Sequence, residues 1–210
     1  ASATGNSGEA KATGLNFGDL NIFAAAIARG TSAQAYAELD DALSFNANGG
    51  AYATAGLANF GNVEIEALAY ASAGVGDATA TADNDDVIDI EAQASDGSAV
   101  GGIIGSGQLY IGATAIANAA DNAYASADLS EVIDIDVHAD GGGDATGLFV
   151  QQYYTAMAFA SADGDIASAT ANVDDALEMD VTAHDGGDGF AYVSVAGVNV
   201  IASAQASGTA

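Results

Sequence analysis

Carboxylates set a few positions apart in glycine-rich turns are the residues of this chain whose type and spacing suit chemistry. Asp83, Asp85 and Asp86 fall in DNDD, Asp140 and Asp144 bracket three glycines, and Asp185 and Asp188 flank two in HDGGDG. Calcium takes six to eight oxygen ligands in flexible geometry, and acids spaced by glycine can wrap such an ion. These seven are the candidate metal ligands, and Ca2+ is the one cofactor they imply. The spacing matches neither tandem G-G-x-G-x-D nonapeptides nor an EF-hand loop with its terminal Glu. Asp and Gly are also the ordinary residues of turns between strands.

Catalysis is not expected. Asp134 and Asp136, like Glu64 and Glu66, pair at i, i+2 on one strand face. A glycosidase uses two carboxylates, but an active site is singular, whereas this pattern recurs without an aromatic sugar platform. His138 and His184 align with Thr182 and Asp140, different positions of their segments, so they are expected to share no ligand column. No triad, phosphate loop, dinucleotide fingerprint or HExxH can be assembled. Thr79 and Thr81 form one T-x-T, but Tyr124 and Ser126, then Ser168 and Thr170, hold the equivalent places, too irregular for an ice-binding ladder.

The elements that must carry these residues follow from a period. Asp41, Asp86, Glu131 and Asp175 each open an apolar run, at steps of 45, 45 and 44 residues. A period in that range implies one supersecondary unit copied in tandem, each copy burying its apolar face on its neighbours. Each unit splits into halves of about 22 residues, and within both halves apolar residues alternate at period two, a strand signal. The expected fold is all-β, a single domain over 1–210 with repeats 1–49, 50–97, 98–142 and 143–187 and a half-repeat 188–210. Gly-rich turns suit either a β-solenoid or a stacked-hairpin β-sandwich. The absence of Pro fits central strands. Half-repeats of this length rich in small residues look somewhat like the curlin subunits of bacterial surface amyloid. The spaced Gln, Gly and Asn of those subunits are absent here, and no residue roles carry over.

The two halves differ on their outward faces. Asp89 and Glu91, Asp134 and Asp136, Glu178 and Asp180 make one face acidic. Outside the other strands sit Phe23, Ile27, Leu68, Tyr70, Tyr110, Ile116, Met157, Phe159 and Ile201, apolar in every copy. Two destinations suit them, a second sheet of the same chain or another subunit. The half-repeats at both ends carry no polar cap, and bare strand edges recruit partners.

Twenty-nine acidic residues against Lys11 and Arg29 give a formal charge of -27. That balance excludes nucleic acid and anionic membranes as partners and calls for cations or high salt. No apolar stretch is long enough for a transmembrane helix, so no membrane insertion is expected. Cys is absent, and the chain opens on small polar residues, as after removal of a signal peptide. The expected protein is secreted, extracellular or at the cell surface, in a setting such as a biofilm matrix. It is a functional amyloid-like structural subunit of a filament or matrix fibre. Copies of itself join through open β edges and apolar outer faces. The alternative is a monomeric calcium-binding adhesin or surface-binding repeat module.

Overall fold

Period-two alternation turns into strands along the chain, and the residues described, 1–5 and 8–208 of a computed structural model, contain no helix. The order is β1 (Ser2–Gly5), β2 (Glu9–Asn16), β3 (Asp19–Gly30), β4 (Ala33–Asp40), β5 (Leu43–Gly49), β6 (Tyr52–Asn59), β7 (Asn62–Ala73), β8 (Ala78–Asp85) and β9 (Ile88–Ala94). Then come β10 (Ser98–Ile104), β11 (Gln108–Ala119), β12 (Asn122–Ser130) and β13 (Ile133–Ala139). The continuous strand β14 (Ala145–Gly164) precedes β15 (Ile166–Val173), β16 (Glu178–Ala183) and a second continuous strand, β17 (Gly189–Gly208).

Three sheets result. β1, β5, β9, β13 and β16 form one of five strands, and β4, β8, β12 and β15 one of four. The eight-stranded sheet has two halves end to end. β2, β6 and β10 lead to the first part of β14, and β3, β7 and β11 to its second part, with β17 pairing along β14. Every pairing described is parallel, and partners lie 43 to 46 positions apart, as with Glu9 beside Tyr52 and Ala99 beside Ala145. A stack of hairpins would pair its strands antiparallel, so that form of the expected sandwich does not describe this chain.

The five- and four-stranded sheets pack side by side on one face of the eight-stranded sheet, covering its first and second halves respectively. Side-chain size is graded across this double layer. Running along β6 and β7, the inward residues are Ala53, Ala55 and Leu57, then Val63 and Ile65, then Ala67, Ala69 and Ala71. The chain returns through Ala78, Ala80 and Ala82 of β8 and then Val87, Ile88 and Ile90 before Ala92 and Ala94 of β9. Large aliphatics fill the middle and alanines both rims, and rows of matching residues stack from strand to strand. Phe149 and Tyr154 meet edge to face at 5.5 Å in that middle. The Tyr154 hydroxyl donates to the Ala176 carbonyl, and burial pushes its pKa up.

The acidic residue that recurs before each apolar run has a backbone explanation. Asp41, Asp86, Glu131 and Asp175 have φ of 48°, 45°, 44° and 43°. They form the left-handed corners between the strands of the four-stranded sheet and those of the five-stranded sheet. Short polar side chains tolerate that region, and a β-branched residue there costs roughly 1–2 kcal/mol. Asp86→Asn and Asp86→Val remove the same charge, so the pair separates backbone from electrostatics. In urea titrations Asp86→Val should unfold at lower denaturant than wild type, and Asp86→Asn should not. Equal midpoints for the two variants would refute the corner's role.

Candidate functional site

Parallel pairing in register sorts the outward side chains of β3, β7, β11, β14 and β17 into columns. One runs Phe23, Glu66, Gly112, Met157, Ile201; the next Ala25, Leu68, Thr114, Phe159, Ser203; a third Ile27, Tyr70, Ile116, Ser161, Gln205. Tyr110 lies one column away, between Glu64 and Thr155, where a side chain on Gly112 would meet its ring. All nine apolar candidates therefore share one face. Phe23 and Ile27 are 53% and 65% exposed and the central residues half-buried by their neighbours. The four-stranded sheet packs on the opposite face, and among the described residues no strand covers this one.

Polar groups interrupt the apolar stripe and border it. Thr114 Oγ1 donates to Glu66 Oε1 at 3.0 Å, and Asn118 Nδ2 to the Tyr70 hydroxyl at 3.4 Å. The Arg29 guanidinium lies 5.8 Å from the centre of the Tyr70 ring. Burial and the charges of Glu66 and Glu64 push the Tyr110 hydroxyl up to about 12, so it stays a neutral donor at physiological pH.

The five-stranded sheet faces outward with acids. Asp89, Asp134 and Glu178 stack in one column, Glu91, Asp136 and Asp180 in the next. β5 closes one side of this grid with neutral partners: Ser44 Oγ donates to Asp89 at 3.2 Å, Asn48 Nδ2 to Gln93 at 3.0 Å, and Asn46 to Glu91. Partial burial, then Glu178, Asp89, Asp136 and Asp86, push the Asp134 carboxyl up to about 6. Asp136 is raised by burial and Asp180 and lowered by His138.

The seven proposed calcium ligands do not converge. Asp83 projects outward from the four-stranded sheet between Glu38 and Asp128. Asp85 accepts from Ser130 Oγ at 3.0 Å and lies with Asp86 and Glu131 in one carboxylate cluster. The other four lie beyond the far ends of the β9, β13 and β16 ladder, in the turns that lead to β14 and β17. There Asp144 accepts the Asp188 backbone N–H at 3.1 Å, a turn-closing role, and Asp185 is a left-handed turn residue with φ of 59°. Asp140 joins a different cluster, with His138 and His184, whose ligand atoms all lie within 4.8 Å of one another.

The histidines occupy different columns, yet the fold brings them together with Asp140. His138 pairs with Thr182, and the His184 N–H donates to the Ala139 carbonyl at 2.9 Å, which sets His184 beside Asp140. The histidines are diagonal neighbours, with ring centroids 5.0 Å apart, and a comparison of columns alone cannot find them. Asp140, one residue past β13, lies beside His184, one residue past β16. No helix among the described residues is long and apolar enough to cross a membrane. No protein-family model, curated protein or solved structure matches the chain.

Proposed function

We propose that the three parallel sheets are the sides of one β-solenoid with coils of about 45 residues. In this reading the protein is a non-enzymatic structural subunit of an extracellular filament or matrix fibre. Copies associate through the outward stripe centred on Ile27, Leu68, Tyr70, Ile116, Met157 and Phe159. One observation carries this: an outward face with nine apolar residues in neighbouring columns, interrupted by Glu66 and Thr114 and uncovered by any described strand, on a chain of charge -27. Exposed apolar patches of this kind mark association sites on soluble proteins. The acidic sheet on the other side keeps assembled copies apart except where cations bridge them. Supporting the coil reading, each strand pairs in register with strands 43 to 46 residues away, in all three sheets.

Negative-stain microscopy and sedimentation velocity test it directly. Purified wild-type protein should form filaments in salt and Ca2+. The double variant Phe23→Asp/Ile27→Asp, at the two most exposed positions of the face, should keep its far-ultraviolet spectrum but assemble only at concentrations at least about tenfold higher. A wild-type protein that stays monomeric at the highest attainable concentration would sink the proposal.

The cluster of Asp85, Asp86 and Glu131 favours a second reading, a monomeric calcium-binding adhesin. Glu131 hydrogen-bonds to Asp86, and the pairing raises its pKa, as expected of carboxylates sharing a proton where a cation would otherwise sit. That reading requires a melting temperature that drops on chelation without any polymer.

A further inference from the structure

We propose that His138, Asp140 and His184 form a binding site for a divalent transition-metal ion, of which Zn2+ is the type. The chain has only two histidines in 210 residues, and the fold brings both to one point from positions 46 apart. His138 Nε2 stands 3.2 Å from Asp140 Oδ1, and one ligand atom from each of the three residues lies within 4.8 Å of the other two. Zinc bonds of about 2.0–2.2 Å in tetrahedral geometry bring ligand atoms to roughly 3.4 Å from each other. Small side-chain rotations close that gap.

The backbone beneath the site is held. The Asp140 N–H donates to the Ala94 carbonyl at 2.9 Å and the His184 N–H to the Ala139 carbonyl, so both backbones are tied to the end of the five-stranded sheet, one residue past β13 and β16. Past them the chain leaves through left-handed turns at Gly141, Gly142, Asp185 and Gly186, which keeps the approach open. His184 is exposed and His138 and Asp140 are partly so, leaving solvent at a fourth position. Asp136 and Asp180 on the same outward face add negative charge that attracts a dication. The donor set selects the metal class. Two imidazoles and one carboxylate suit zinc, nickel or copper, whereas calcium prefers all-oxygen shells of six to eight ligands. The site is independent of whether copies assemble.

The test is calorimetric titration of the full chain with Zn2+ in millimolar Ca2+, which occupies carboxylate-only sites. One Zn2+ per chain is expected, with affinity reduced at least about tenfold in His138→Ala and in His184→Ala and unchanged in Asp144→Asn. Proton resonances of the two imidazoles, observed at substoichiometric Ni2+, should broaden together, a readout a purely structural histidine pair would not give. No Zn2+ uptake in the presence of Ca2+, or uptake that survives both histidine substitutions, overturns the proposal.

Discussion

Gly102→Val should leave a protein that unfolds at much lower denaturant than wild type, the largest single-site loss expected on the outward faces of the sheets. Gly56 and Gly102 sit side by side on the outward face of the first half of the eight-stranded sheet, with φ of 150° and 147°. That backbone region is nearly exclusive to glycine and costs other residues about 1–3 kcal/mol. A Cβ at Gly102 would also meet the Leu148 carbonyl, and one at Gly56 the Gly102 carbonyl. Overpacking against immobile backbone adds roughly 1–3 kcal/mol, against a total stability on the order of 5–15 kcal/mol. Gly102→Ala should lose nearly as much, because the strain begins at Cβ. Gly74, where an added Cβ meets nothing within 4 Å, is the control; Gly74→Ala should be neutral or slightly stabilising. If Gly102→Ala melts in urea alongside Gly74→Ala, the close approach is not what holds these strands.

Acidification should stabilise this protein, the reverse of ordinary acid denaturation. Burial and neighbouring carboxylates raise Asp83, Asp89, Asp134 and Asp136, and Asp134 reaches about 6. A carboxyl raised on folding binds a proton in the folded state at pH values where the unfolded chain has lost it. Between about 4, the unfolded value, and 6, the folded value for Asp134, stability therefore falls as pH rises, and below that window it is fully present. With 29 acids and two fixed cations, few ion pairs exist to be lost on the acid side. The melting temperature by circular dichroism, in dilute protein to limit association, should rise about 5 °C or more from pH 7 to pH 4.5. Added salt at pH 7 should recover part of that gain by screening. Asp134→Asn should raise the melting temperature at pH 7 and change it little at pH 4. A melting temperature that falls on acidification refutes this account.

The strand content was legible because Val63, Ile65, Ala67 and Ala69 alternate with residues that face outward, and period two has one structural meaning. Whether strands pair parallel or antiparallel was not, since alternation is the same for both; only the register of Leu109 between Val63 and Tyr154 distinguishes them. Asp41, Asp86, Glu131 and Asp175 were legible as a period, while the left-handed corner each one serves is something sequence spacing cannot display. Asn84 hid in the same way. It occupies an inward position between Leu39 and Leu129, buried, with Nδ2 donating to the Gly112 carbonyl at 2.5 Å and Oδ1 without a partner. Nothing in DNDD separates that buried amide from its exposed neighbours. The apolar face was legible residue by residue, because outward apolar groups violate the alternation in the same columns. The two-histidine cluster was not, since its members meet on a diagonal.

Parallel registry has one more consequence, for length. Each strand touches only those about 45 residues before and after it within its sheet, and adjacent strands are spaced about 4.8 Å apart. In the proposed solenoid, a segment of one period inserted at a left-handed corner would find matching columns above and below it, extending the molecule by that spacing and altering no existing neighbour except at the cut. Size along the stack is therefore a digit that gene duplication can increment, while the breadth of the cross-section stays constant.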